Sequence, residues 1–289
     1  MKDLMLFGNL FKKIHSGLAC LAFLLIAIFN SLPSLAQGDL LLYPKRIVFE
    51  GSKRSQDLNL ANSGKDTARY LLSVVQIRMK EDGSFETIAE PDPGQNFADK
   101  YFRIFPRNVV LPPNEAQTVK IQLINTGELL PGEYRSHLYI RAEDEKRPLG
   151  EEEPKNDSAS IAVKLVAVFG ISIPVIIRSG ESTASVSLSD VSFQQAKDTT
   201  PVVKFAFNRS GNMSVYGDVA VDYISPEGKS IQVGIVNGLA VYNPTSKRYF
   251  SLALNKIPGV DYHRGSLRVT YRYDAPKAEK LAEERIVLR

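Results

Sequence analysis

The sequence predicts an all-β protein of two tandem β-sandwiches, and three observations carry that reading. Helical periodicity is nearly absent beyond the first 36 residues. Short segments alternating apolar and polar residues recur instead, separated by clusters of turn-forming residues. These segments fall into two successive sets of seven, the number that an immunoglobulin-like sandwich needs.

Residues 1–36 read as a targeting signal and stand apart from the fold. Lys2, Lys12 and Lys13 form a basic start, and Leu18 to Phe29 is an unbroken apolar run of twelve residues. A membrane span needs roughly 20. Ser34 and Ala36 occupy the small positions that a signal peptidase recognises, so cleavage is expected after Ala36, with export to the periplasm. The alternative is an uncleaved anchor. A lipoprotein site at Cys20 is disfavoured, because the apolar run lies mostly after that cysteine. Three lysines and one aspartate leave with the leader, so the formal charge of +4 becomes +2. No basic stripe interleaved with aromatics is present, and nucleic acid is not an expected partner. Cys20 is the single cysteine, so the exported chain has no disulfide and must rest on its cores. The sequons at Asn156, Asn208 and Asn212 read as chance in such a chain.

In the first domain, residues 37–178, strands are expected near Leu40–Phe49, Ser55–Ala61, Arg69–Arg78, Val109–Leu111, Ala116–Leu123, Tyr134–Glu143 and Ile161–Arg178. The turns between them have stated chemistry: Asn62-Ser63-Gly64, Asp82-Gly83, Pro112-Pro113-Asn114 and Pro131-Gly132. In the second, residues 179–289, strands are expected near Val186–Ser192, Val202–Asn208, Val215–Ile224, Ser230–Val236, Lys247–Leu254, Leu267–Asp274 and Arg285–Leu288. Pro226-Glu227-Gly228 is a hairpin turn, and Asn237-Gly238 carries the strongest two-residue hairpin signal in the chain. Ala275 to Glu284 is open between a short helix and a loop.

Two segments are unusual. Asp144 to Asp157 holds six acidic and three basic residues with Pro148, Gly150 and Pro154, and reads as a solvated loop or as a partner-facing loop that orders on binding. Ile161 to Arg178 places an apolar residue at every odd position from Ile161 through Ile177. Alternation of that length outruns one sandwich face, so part of it is expected to lie uncovered in the isolated protein. Pro174 cannot donate to a ladder, which points to an edge or an exit from the sheet there.

Catalytic and metal-binding chemistry finds no foothold. The exported chain keeps two histidines, His137 and His263, and no cysteine, which cannot make a typical structural zinc site. His137 reads as a hydrogen-bonded strand residue. No G-x-S-x-G elbow or G-x-G-x-x-G occurs, and Gly228-Lys229-Ser230 fails as a phosphate loop because Tyr223 stands where its first glycine belongs. No enzyme activity and no cofactor are expected.

Four segments carry a family resemblance. Arg46-Ile47-Val48-Phe49-Glu50-Gly51 resembles the R-x-x-F-x-G first strand of the PapD-like periplasmic pilus chaperones. Leu111-Pro112-Pro113-Asn114-Glu115-Ala116-Gln117-Thr118-Val119-Lys120-Ile121 resembles their L-x-P-G-x-x-Q-T-V-R-I segment, with Asn114 in place of glycine. Gly132 to Arg141 resembles their F strand, and the charged loop and long alternating strand follow in the family's order. In the second half, Asn208-Arg209-Ser210-Gly211-Asn212 and Val215-Tyr216-Gly217-Asp218 resemble a divergent branch of these chaperones.

The resemblance implies a mechanism, donor-strand complementation, which is a form of β-augmentation. A pilin-like subunit with an incomplete sandwich would be the partner, and an outer-membrane usher the next station. Val163, Leu165 and Ala167, with Ile161 and Phe169 at the margins, would fill the subunit's groove, while Ile171 to Ile177 would line the chaperone's own core. Arg46 matches the family arginine that binds the subunit's terminal carboxylate. The alternative for Arg46 is an ion pair with an acidic residue across the domain interface. The family's accompanying lysine does not carry over, because its place falls at Ser172 or Pro174. A secreted structural or adhesive protein using the sandwiches as passive modules is the competing reading of the whole chain.

Overall fold

The computed structural model describes residues 40–143, 170–195, 200–273 and 279–288. The leader with its expected cleavage after Ala36, the charged segment Asp144 to Asp157, and the donor positions Ile161, Val163, Leu165, Ala167 and Phe169 lie outside the described residues.

The first sandwich runs through Leu40–Tyr43 (β1), Ile47–Phe49 (β2), Ser55–Asn62 (β3), Ala68–Val75 (β4), Ile77–Met79 (β5), Phe85–Thr87 (β6), Phe102–Phe105 (β7), Asn108–Leu111 (β8), Ala116–Leu123 (β9), Gly132–Glu143 (β10) and Gly170–Ser179 (β11). One sheet has the order β1-β3-β9-β7 and the facing sheet β2-β11-β10-β4-β8, with β5 and β6 as a separate hairpin. This division of strands between two facing sheets is that of an immunoglobulin-like sandwich. Leu58 and Leu60 of β3, Val119 and Ile121 of β9, Leu138 and Ile140 of β10 and Ile173, Val175 and Ile177 of β11 meet in one core. Each such burial contributes about 1.5–3 kcal/mol.

The second sandwich comprises Ser185–Gln194 (β12), Val202–Ser210 (β13), Val215–Ile224 (β14), Ser230–Val241 (β15), Lys247–Ala253 (β16), Ser266–Tyr273 (β17) and Lys280–Val287 (β18). Its sheets have the orders β12-β13-β16 and β15-β14-β17-β18. Phe205, Phe207, Val221, Tyr223, Val269 and Tyr271 anchor a second core.

Several elements differ from the sequence expectation, each for a local reason. The first strand breaks at Pro44, and the residues before and after it join opposite sheets, β1 against β3 and β2 against β11. Strand Arg69–Arg78 likewise splits into β4 and β5. Asn237-Gly238 is not a hairpin turn: β15 continues through it, and the register shifts opposite Asp218. It is a bulge, in which Gly238 adopts φ 72° and its N–H donates to Asp218 Oδ1 at 2.8 Å. Lys280–Val287 is strand, not helix or loop, because β18 pairs there with β17. β6 and β7 had no expected counterpart; β6 is three residues and β7 four, too short for periodicity to register. The Asp82-Gly83 and Pro226-Glu227-Gly228 turns form as expected, with Gly83 at φ 81° and Gly228 at φ 86°.

A strip of β10 explains how the sandwiches meet. Gly132 through Leu138 are all buried, although only alternate side chains can face the core. Glu133, Arg135 and His137 project from the other face and are covered by the second sandwich. Met79 and Ile176 from the first sandwich pack there against Ala240 and Tyr242 from the second.

Candidate strand-docking site in the cleft

β11 has unequal neighbours. β10 pairs with it from Gly170 to Ser179, whereas β2 pairs only with Val175, Ile176 and Ile177. Among the described residues, the stretch from Gly170 to Pro174 therefore has a strand on one side and an open edge on the other. Pro174, which lacks a backbone donor, marks the point where the second neighbour begins. Ile173, Val175 and Ile177 point into the core as expected, but Ile171 is 38% exposed at the open edge. Ser172 and Pro174 face the cleft instead, where they line a cavity of about 250 Å³ with Phe85, Met79, His137 and Tyr242.

Arg46 stands at the end of this open lane. The parallel register pairs Ile47 with Val175, so Arg46, one residue earlier, lies level with Pro174. Its guanidinium sits 4.4 Å from the centroid of the Tyr216 ring, on the second sandwich. Its Nε and Nη2 atoms are buried without a hydrogen-bond partner. The ion pair expected as the alternative for Arg46 is not formed among the described residues. Burial pushes the guanidinium below its usual value, opposed chiefly by the Tyr242 hydroxyl.

The acidic residue at the junction is Glu133, which pairs with Arg178, its register partner within the first sandwich, and reaches the second sandwich through Ser214. Glu133 Oε2 accepts from Arg178 Nε at 3.2 Å, from Ser214 N at 3.0 Å and from Ser214 Oγ at 2.6 Å. Arg178 also donates to Glu50 Oε1 at 2.6 Å and to the Ser214 carbonyl at 2.9 Å. Burial pulls the Arg178 value down, but Glu133 and Glu50 outweigh it and leave it raised. Arg135 stacks on Tyr242 at 4.4 Å and donates to the Asn243 carbonyl at 3.1 Å. His137 packs between Phe85 and Tyr242, with ring centroids at 5.9 and 6.1 Å. Burial, reinforced by Arg135, pushes its imidazole down to about 3.

Glu133, Arg135, Arg178, Tyr216 and Tyr242 were not singled out from the sequence. The one available signal was polar residues alternating along β10, which reads equally as a solvated face. Among the described residues, no group of three His, Cys, Asp or Glu side chains could hold a metal ion.

No family model matches the chain, and no curated protein matches it in sequence. Solved structures similar to it include the YadV chaperone, 12% identical over 86% of this chain and 100% of that one, with a TM-score of 0.41. The CupB2 chaperone of Pseudomonas aeruginosa is 13% identical over 86% and 100% of the two chains, with a TM-score of 0.41. The E. coli chaperone DraB is 14% identical over 86% and 96%, with a TM-score of 0.38. At such TM-scores the fold stands on its own strand order and cores.

Proposed function

We propose that this protein is a periplasmic chaperone of the chaperone–usher type, which holds a pilin-like subunit by strand addition at the open edge of β11. One observation carries the reading: among the described residues no strand lies in the lane beside residues 170–174, and that lane ends at Arg46, a half-buried arginine whose Nε and Nη2 are buried without acceptors. An unpaired edge is a template for another chain's backbone, and an unpaired buried guanidinium attracts an anion.

The two features together set the direction of the guest. Arg46 lies at the downstream end of the free stretch of β11. A strand running parallel to β11 brings its carboxyl terminus to Arg46, whereas an antiparallel strand brings its ammonium there and is repelled. The guest is therefore a C-terminal strand, added parallel to β11. Upstream in the same chain, Ile161, Val163, Leu165, Ala167 and Phe169 continue the alternation of β11 and supply the side chains that complete the subunit's groove. The four sequence segments resembling PapD-like chaperones support the same assignment, and delivery to an outer-membrane usher follows from it.

The test is binding of a short synthetic peptide of alternating apolar residues, with a free or an amidated carboxyl end. The free form binds more tightly, and Arg46→Ala removes that advantage. A charge-assisted hydrogen bond contributes about 1.5–3 kcal/mol, or roughly 10- to 150-fold in affinity. The melting temperature changes little, because Arg46 makes no ion pair among the described residues. Equal affinity for free and amidated peptides rules the anchor out.

A further inference from the structure

We infer that Tyr139 recognises the incoming strand, at the side chain four residues before its carboxyl-terminal residue. This rests on the docking geometry proposed above. Leu138 and Ile140 point into the core, so Tyr139 projects from the cleft face of β10. Its register partner is Ser172, yet its ring leans diagonally over Gly170, two residues away along β11. A Cβ built at Gly170 would overlap the Tyr139 ring and hydroxyl. Gly170 lies in the extended strand β11, a position that does not by itself call for a glycine. What the absent side chain permits is the passage of the tyrosine across β11 toward the open lane.

The register identifies the contact. Side-by-side residues of parallel strands point to the same face, and both strands rise by about 3.3 Å per residue. With the guest's last residue level with Pro174 and its carboxylate at Arg46, the residue beside Gly170 is four positions earlier. Its side chain faces the cleft, as the ring of Tyr139 does. An aromatic ring that is half-buried and presented at a strand edge favours an aromatic or large apolar neighbour. The competing explanation is purely internal: a cross-strand aromatic shielding a weak glycine position in the sheet.

The two are separated with the full-length protein and a pair of short synthetic peptides with free carboxyl ends, carrying Phe or Gly at the fifth position from that end. The Phe peptide binds about three- to tenfold more tightly, the range of an aromatic pair. Tyr139→Ala abolishes the difference, Tyr139→Phe keeps it, and Gly170→Ala reduces it by displacing the ring. Far-UV circular dichroism and retained discrimination between free and amidated peptides verify that each variant is folded and docks through Arg46. Amidation-sensitive binding with the same Phe-to-Gly ratio in wild type and Tyr139→Ala overturns this inference alone. Binding that ignores amidation, or no binding at all, overturns the Arg46 anchor and this inference with it.

Discussion

Arginines around the junction show how much the fate of one side chain depends on what surrounds it. Arg178 finds two carboxylates, Glu133 and Glu50. Arg209 donates to the carbonyls of Thr245, Gly211 and Met213 at 2.8–3.0 Å. Arg135 reaches the Asn243 carbonyl and the face of Tyr242. Arg46 has the Tyr216 ring beneath it and, among the described residues, two buried nitrogens, Nε and Nη2, without acceptors. His137 sits in the same junction with its imidazole lowered to about 3. The folded state therefore holds it neutral, while the unfolded chain takes up a proton below about 6.5. Stability contributed by the neutral form is present above pH 6.5 and is lost as pH falls from there toward 3. At pH 5 the loss relative to neutral pH is about 2 kcal/mol. Urea denaturation of wild type and His137→Phe at pH 7 and pH 5 measures it: the wild type weakens by more. Equal losses would show that His137 does not titrate on unfolding.

Individual elements carry information that a local pattern could not supply. Asn114 replaces the glycine of the resembling segment and takes the left-handed backbone that glycine would, at φ 61°. Asn237-Gly238 has the residues of a hairpin turn and is a bulge, because β14 extends to Val215 and keeps β15 paired beyond it. The bulge also matters to the cleft. A Cβ at Gly238 would come within 2.7 Å of the Tyr216 hydroxyl, and Tyr216 is the ring on which Arg46 rests. Gly238→Val therefore destabilises the protein by about 1–3 kcal/mol through the strained backbone. It also shifts Tyr216 and weakens binding of free-carboxylate peptides. Thermal melts and peptide titration on the same variant detect both effects; a lowered melt with unchanged affinity would uncouple the bulge from the Arg46 site.

At the scale of the whole molecule, the two sandwiches share a small apolar cluster backed by a buried polar network. Met79, Ile176, Ala240 and Tyr242 form the cluster, and the β5–β6 hairpin extends it through Thr245 Oγ1 to the Met79 carbonyl at 2.6 Å and Tyr249 N to the Glu81 carbonyl at 2.7 Å. Tyr242→Ala removes the largest side chain of that cluster and the surface on which Arg135 stacks, costing about 3–5 kcal/mol. The two sandwiches then loosen, seen as a larger radius of gyration in solution scattering and as separated unfolding transitions. Glu133→Ala acts on the same junction by leaving Ser214 and Arg178 without their shared acceptor, a loss of about 3 kcal/mol in chemical denaturation. An unchanged melt and radius in both variants would mean that the sandwiches are held together elsewhere.

The all-β class and most strand positions were legible in the amino-acid order. They rest on period-two alternation, turn residues and short motifs, all of which act between near neighbours in sequence. The partners of Glu133, Arg178 and Tyr216, the split of the first strand between two sheets and the crossing of Tyr139 over Gly170 were not. Those depend on which face of a strand a second sandwich covers. Polar residues alternating along β10 look the same whether water or another domain lies against them, so only the assembled tertiary structure decides which charges are buried.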